Sequence, residues 1–213
     1  MRSWAFYHGW AMGPWFFEPL AQALGGQHWF FDRGYTNHPT AEQPPGSGWT
    51  IVTHSMGLWQ VPSTVLDTAE ALVILGGFQT FVPQEKQGLA LVRRNLTQMQ
   101  RRLLTHPIEV IGQFLELCRS EGHPAIPQAE AYNLPLLAQD LEQLATGTWT
   151  YCDKIAKTVL IQGEQDKVVF PSQAQALAQQ LNTKLLWVSE TGHDCHYSQP
   201  AQLASMIQKE LTS

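Results

Sequence analysis

Three residues of this chain have the types and the order that acyl transfer needs: Ser55, Asp166 and His193. Ser55 lies in Thr53-His54-Ser55-Met56-Gly57, directly after the apolar run 49–52 and before a stretch expected to turn helical near Leu58. A serine on a tight strand-to-helix turn pushes its hydroxyl beyond the sheet edge, and the next main-chain N–H then faces any oxyanion that develops there. The ideal pattern of that turn is Gly-x-Ser-x-Gly. Thr53 stands where the first glycine belongs, and its branched side chain weakens the match at a point where strand and helix crowd. A Ser-x-Gly after a strand is, on its own, a common accident.

The other two residues change the weight of that motif. Asp166 sits in Gly163-Glu164-Gln165-Asp166, after the apolar run 158–161, and His193 sits in Thr191-Gly192-His193-Asp194, after the run 184–188. Either alone reads as a solvated polar residue in a turn. Together, each follows a strand in the order Ser, Asp, His, which suits a serine that attacks, an imidazole that moves the proton and a carboxylate that orients the imidazole. Rivals fit less well. His196 has no strand-end position, and a His193–His196 metal pair lacks further ligands at metal-site spacing. Asp153 precedes its strand and falls at the opposite sheet edge, and Gly76-Gly77-Phe78-Gln79 contains no acid.

A fourth element, His8-Gly9-Trp10, follows the run 4–7. It predicts an oxyanion hole made by the main-chain N–H groups of Trp10 and Met56, worth a few kcal/mol in the transition state. The alternative is that His8 and Trp10 merely pack the strand end.

These loops need elements to hold them. Six short apolar runs (4–7, 28–31, 49–52, 71–75, 158–161 and 184–188) alternate with helical patterns, and four lead into turns at Gly9, Gly34, Gly76-Gly77 and Gly163. Strands apolar on both faces predict an α/β chain with a mostly parallel central sheet. Between 84 and 119 the period becomes helical, as in Leu89, Val92, Leu96, Met99 and Leu103; Pro107 interrupts it, and Val110, Ile111, Phe114, Leu115 and Cys118 continue it. Residues 134–144 form another helical stretch. The expected organisation is an α/β core from 1–77 and 150–213, with 78–149 inserted as a helical cap. A packed helical subdomain without a gating role is the alternative.

Bulk properties narrow the function. The chain has 213 residues, 44% of them hydrophobic, enough for one catalytic domain. Only 15% are charged and the net charge is −5, which argues against nucleic acid and anionic membranes as partners. No apolar run approaches the roughly 20 residues of a membrane span. His8, Gly9, Gly13 and Pro14 interrupt the aromatic-rich N-terminal stretch, so a signal peptide is not expected and a cytoplasmic location is. Cys118, Cys152 and Cys195 have neither disulfide nor zinc spacing and read as incidental thiols. Most of the eight tryptophans are expected in the core, with Trp10 the exception.

His8-Gly9-Trp10, Ser55-Met56-Gly57, Gly163-x-x-Asp166 followed by Val169-Phe170-Pro171, and Gly192-His193 together resemble the pimeloyl-[acyl-carrier-protein] methyl ester esterases of biotin synthesis. The resemblance spans nearly the whole chain and implies an α/β-hydrolase fold lacking the usual leading strands. It implies a cytoplasmic, monomeric serine carboxylesterase with no cofactor, whose partner is the acyl-carrier protein bearing the substrate. Phe114-Leu115-Glu116-Leu117 resembles the family's substrate-contacting stretch, which with Trp10 would place Phe114, Leu115, Leu117 and Cys118 along the acyl chain. A general carboxylesterase or thioesterase without a carrier partner, and a non-catalytic binding protein on the same scaffold, stay open.

The family holds its carrier with basic cap residues, some just before the cap phenylalanine, where this chain has Glu109, Gly112 and Gln113. Arginines occur one helix earlier, as Arg93, Arg94, Arg101 and Arg102. Residues 86–119 carry six basic side chains against two carboxylates, a net of +4, which leaves −9 on the rest of the chain. A positive cap on a negative body could dock an acidic protein; a solvated helix face is the other reading.

Overall fold

The computed structural model describes residues 2–36, 39–83, 86–150, 155 and 157–212. Among these residues six strands form one sheet: β1 (Ser3–Tyr7), β2 (Gln27–Phe31), β3 (Thr50–His54), β4 (Ala71–Leu75), β5 (Thr158–Gly163) and β6 (Leu185–Val188). Their order is β2-β1-β3-β4-β5-β6, and every neighbouring pair is parallel. Each sequence-predicted strand appears within two residues of its expected ends. β3 and β4 are buried along their whole length, as strands covered on both faces must be.

Successive side chains point to opposite faces. Phe6, Val52, Val73 and Ile161 pack beneath α1 (Glu18–Leu24) and the C-terminal helix α9 (Pro200–Thr212). Tyr7, Ile51, Leu72 and Leu160 pack on the other face against α2 (Gly57–Gln60), α3 (Ser63–Leu66) and α7 (Pro171–Gln180). A 3-10 turn (Pro14–Phe17) precedes α1, and a further short helix, α8 (Cys195–Ser198), follows β6. Trp187 on edge strand β6 is 36% exposed and stands outside the core expected of most tryptophans. Among the described residues, no helix is long and apolar enough to cross a membrane.

Among the described residues, three helices lie between β4 and β5: α4 (Lys86–Leu103), α5 (Pro107–Cys118) and α6 (Leu134–Thr146). Pro107 occupies the first position of α5, where its missing N–H costs nothing, so it begins a helix where the pattern breaks. Val92, Leu96, Leu103, Val110, Ile111, Leu115, Leu137 and Leu141 join Trp10, Met56, Phe78 and Val169 in a third apolar cluster, so these helices cover the C-terminal ends of the strands. α6 is also fastened by charge. Arg33 grips the fully buried Asp140 through two hydrogen bonds of 2.9 Å, and the Tyr35 hydroxyl donates to the same carboxylate at 2.7 Å. Burial, then the Asp140 charge, pushes the Tyr35 phenol well above its ordinary range.

The strand register keeps the C-terminal ends level, with Tyr7 opposite Thr53, His54 opposite Leu75 and Gly163 opposite Val188. From β1 the chain moves outward to β2 and then returns to β3 on the other side. The loops after β1 and β3 therefore diverge, leaving the crevice where ligands bind in such sheets.

Candidate active site

Ser55 occupies the left-handed region, at φ 55°. Holding a serine there costs roughly 1–2 kcal/mol, and the surroundings enforce it. Its N–H donates to the Leu75 carbonyl at 2.9 Å. The crowding expected at this turn falls on Gly57, where a Cβ would drive into the Tyr7 carbonyl oxygen, and on Gly9, where one would sit 3.0 Å from the Ser55 Cβ. Thr53 escapes it: the side chain is wholly buried and its hydroxyl donates to the Val73 carbonyl at 3.4 Å.

His193 and Asp166 come together, with Nδ1–H donating to Oδ2 at 2.7 Å. Asp166 also accepts from Gln162 Nε2 at 2.6 Å and, on Oδ1, from the N–H groups of Val168 and Val169 at 2.8 and 2.9 Å. Four hydrogen bonds leave that carboxylate one orientation. Because Nδ1 carries the proton, the neutral imidazole keeps its lone pair on Nε2. That nitrogen is buried and has no hydrogen-bond partner among the described residues.

Behind His193 lies a group of aromatic rings. His54, the residue before Ser55, donates from Nε2 to the His193 carbonyl at 2.9 Å, and its ring lies 4.4 Å from those of both His193 and His196. His196 is enclosed by Phe16 and Phe17. Burial, then His196 and His193, holds the His54 imidazole well below its usual range; burial and His193 do the same to His196. Both stay neutral. Among the described residues no group of three or more His, Cys, Asp or Glu could hold a metal ion. Burial pushes the thiols of Cys118 and Cys195 up, with Asp166 and Asp194 adding to it, so neither is a nucleophile. Cys152 and Asp153 lie outside the described residues.

Trp10 and Ser55 line one cleft. Neither the Trp10 nor the Met56 N–H enters a main-chain hydrogen bond among the described residues, which leaves both for another acceptor. The loop carrying Trp10 is held firmly. His8 donates from Nδ1 to the Gly9 carbonyl at 2.9 Å and accepts from the Arg33 N–H on Nε2 at 3.1 Å, while the Trp10 indole donates to the Leu137 carbonyl of α6 at 3.0 Å.

The cleft encloses about 700 Å³, counting its open mouth. Its walls are Trp10, Phe81, Leu91, Val92, Leu96, Met99, Phe114, Leu117, Leu141, Leu144, Val168 and Phe170, with Asn95 and Lys167 as polar members. Of the α5 residues expected along a substrate, Phe114 and Leu117 line it. Leu115 and Cys118 do not: each is one residue further along the helix, about 100° away, and turns into the core. Asn95, Met99, Phe114 and Leu117 also border a second recess that runs on to Arg102. Arg93, Arg94, Arg101 and Arg102 stand together on the outer side of α4, and Arg102 pairs with Glu109 at 2.7 Å.

Several members of the site carried no motif. Gln162 was findable as the lone amide ending an otherwise apolar strand, Thr158-Val-Leu-Ile-Gln-Gly163. Phe81, Leu141, Leu144 and Phe170 read only as core or loop residues, because no periodicity tells a cleft wall from a packed interface.

No protein-family model matches the chain, and no curated protein matches it in sequence. Solved structures do match it. An esterase from Exiguobacterium antarcticum superimposes with a TM-score of 0.79 at 15% identity, covering 100% of this chain and 92% of that one. A bromoperoxidase from Bacillus anthracis does so with a TM-score of 0.75 at 14% identity, and the enol-lactonase from Burkholderia xenovorans LB400 with 0.74 at 12%; each covers 100% of this chain and 92% of the other. With the parallel six-stranded sheet, the strand order that reverses at β1 and the helices over its C-terminal edge, these likenesses show that the chain has the α/β-hydrolase fold.

Proposed function

We propose that the protein is a serine carboxylesterase, with Ser55 as nucleophile, His193 as general base and Asp166 as the acid that orients it. The observation that carries this reading is the His193–Asp166 pair beside the Ser55 turn: Nδ1–H donates to Asp166, Nε2 has no hydrogen-bond partner among the described residues, Ser55 included, and His54, the residue before Ser55, packs its ring 4.4 Å from that of His193. Solved esterases and an enol-lactonase among the fold's relatives support the same chemistry.

In the mechanism, Nε2 takes the Ser55 hydroxyl proton as the oxygen attacks the ester carbonyl carbon. The carbonyl electron pair moves to its oxygen, which accepts from the N–H groups of Trp10 and Met56. As the tetrahedral species collapses, His193 returns its proton to the departing alcohol and an acyl-serine remains. Water attacks that ester by the same route, and the acid leaves. The steps use these side chains and water, with no metal or organic cofactor.

The finer reading is cleavage of the methyl ester of a pimeloyl chain carried on acyl-carrier protein, by a cytoplasmic monomer with α4–α6 as a cap. It rests on the motif resemblance, on an apolar cleft suited to an acyl chain and on the recess that runs from that cleft to Arg102. An acidic carrier would meet Arg93, Arg94, Arg101 and Arg102 at its far end. The deciding experiment compares hydrolysis of the carrier-bound methyl ester with that of a p-nitrophenyl ester, in wild type and Ser55→Ala. Fast Ser55-dependent cleavage of the carrier substrate supports the finer reading. Cleavage of the simple ester alone leaves a general carboxylesterase. Inactivity on both, with no labelling of Ser55 by a fluorophosphonate, would leave a binding protein.

A further inference from the structure

The His193 loop is held from outside its own strand by the His54 imidazole on the His193 carbonyl, by the Gln165 N–H on the Thr191 carbonyl and, on both sides of His193, by the end of α5. Ser120, two residues past that helix, is wholly buried. Its hydroxyl donates to Asp194 Oδ1 and accepts from the Gly192 N–H at 2.8 Å, while its own N–H donates to the same Oδ1 at 3.0 Å. The Asp194 N–H donates in turn to the Cys118 carbonyl at 3.1 Å. Contact is close enough that a Cβ on Gly192 would lie 2.9 Å from that carbonyl oxygen. The residues on either side of His193 are thus both bonded to the segment that ends α5, the helix whose Phe114 and Leu117 form the cleft wall. Asp194 Oδ2 is buried and has no hydrogen-bond partner among the described residues. The carboxylate engages the end of α5 through the two hydrogen bonds on Oδ1.

We propose that Ser120 and Asp194 are positioning residues that fix the catalytic imidazole through the end of α5, an inference that rests on His193 being the general base. Neither touches substrate. A misplacement of the imidazole by about 1 Å costs on the order of a hundredfold in rate, and these bonds span 72 and 74 residues of chain to prevent it.

The test measures kcat and KM on a p-nitrophenyl ester, with active sites counted by fluorophosphonate labelling carried to completion. The variants are Ser120→Ala, Asp194→Ala, Asp194→Asn and His193→Ala. Both Ser120→Ala and Asp194→Ala are expected to lose about tenfold or more in kcat per labelled site, with KM within about threefold. Asp194→Asn keeps an oxygen for the Ser120 N–H and hydroxyl, so the loop stays tied to α5 and kcat per labelled site should stay within about threefold of wild type, the unpartnered amide nitrogen costing stability instead. A purely structural role would lower the number of labelled sites and leave turnover per site unchanged; that result overturns the proposal. So does a loss in Asp194→Asn as large as in Asp194→Ala, a comparison with wild type that stands even if the alanine variants do not fold. Full activity in His193→Ala would instead remove the general-base reading on which the proposal stands.

Discussion

Gly76 lies so close to His193 that a methyl group on its Cα would sit 2.9 Å from both Cε1 and Nδ1 of the imidazole. It would also be 3.6 Å from Asp166 Oδ2. Gly76 holds φ at 56°, so an L side chain there is strained as well as crowded. The glycine after β4 thus sets how near the imidazole can lie to the sheet edge. Gly76→Ala should lower kcat by about a hundredfold, because the ring must swing away from Ser55 or from Asp166. Steady-state kinetics beside a melting curve would check this, and wild-type kcat in a folded variant would refute it.

Ser55 invites a comparison between two inactive variants. Ser55→Ala and Ser55→Gly should each cut turnover by at least about a thousandfold, since both lack the oxygen that attacks in the proposed mechanism. They should differ in stability. At φ 55° alanine keeps the strain and glycine does not, so Ser55→Gly should be the more stable by up to about 1 kcal/mol in urea unfolding. Equal midpoints would mean that the turn is unstrained.

The Arg33–Asp140 pair should matter for stability far more than a surface ion pair. Asp140 is fully buried and Arg33 is about a quarter exposed. Asp140→Ala strands a guanidinium that can only partly reach water, which should cost about 3 kcal/mol, the lower end for a broken buried pair. The double variant Arg33→Met with Asp140→Leu should lose less than Asp140→Ala alone, because no unpaired charge remains. Urea midpoints of the variants give the comparison directly.

His54 and His196 make folding sensitive to acid. Burial holds both below the ordinary imidazole value in the folded protein, whereas the unfolded chain takes up protons near pH 6.5. Unfolding therefore binds protons as pH falls below about 6.5, and stability drops by up to about 1.4 kcal/mol per pH unit for each histidine. Above that pH the contribution is fully present. Unfolding free energies at pH 7.5, 6.5 and 5.5 should show the decline, and His196→Leu should make it shallower. An unaltered slope in that variant would exclude His196 as a source.

Much of this molecule was legible before its structure. The six strands were, because a strand buried on both faces is an apolar run between turn residues, and β4 needed no other clue. The three inserted helices were too, through their 3.6-residue period and the proline at 107. Ser55, Asp166 and His193 stood out because a parallel sheet sends every strand-end loop to one edge, so residues that follow strands are brought close together.

Tertiary structure alone decided the rest. Thr53 looked like a defect in the turn, yet the tight approach falls on Gly57, a matter of how β1 and α2 meet. Phe114 and Leu117 reach the cleft whereas Leu115 and Cys118 do not, because the roll of α5 is set by packing against α4 and by the bonds of Ser120 to the His193 loop. Arg33 with Asp140, and Ser120 with Gly192 and Asp194, join positions 107, 72 and 74 residues apart. Sequence patterns report the burial and local geometry of each element, since those depend on neighbours a few residues away. Which elements then meet depends on the closure of long loops and the fit of distant surfaces, and no local period records that.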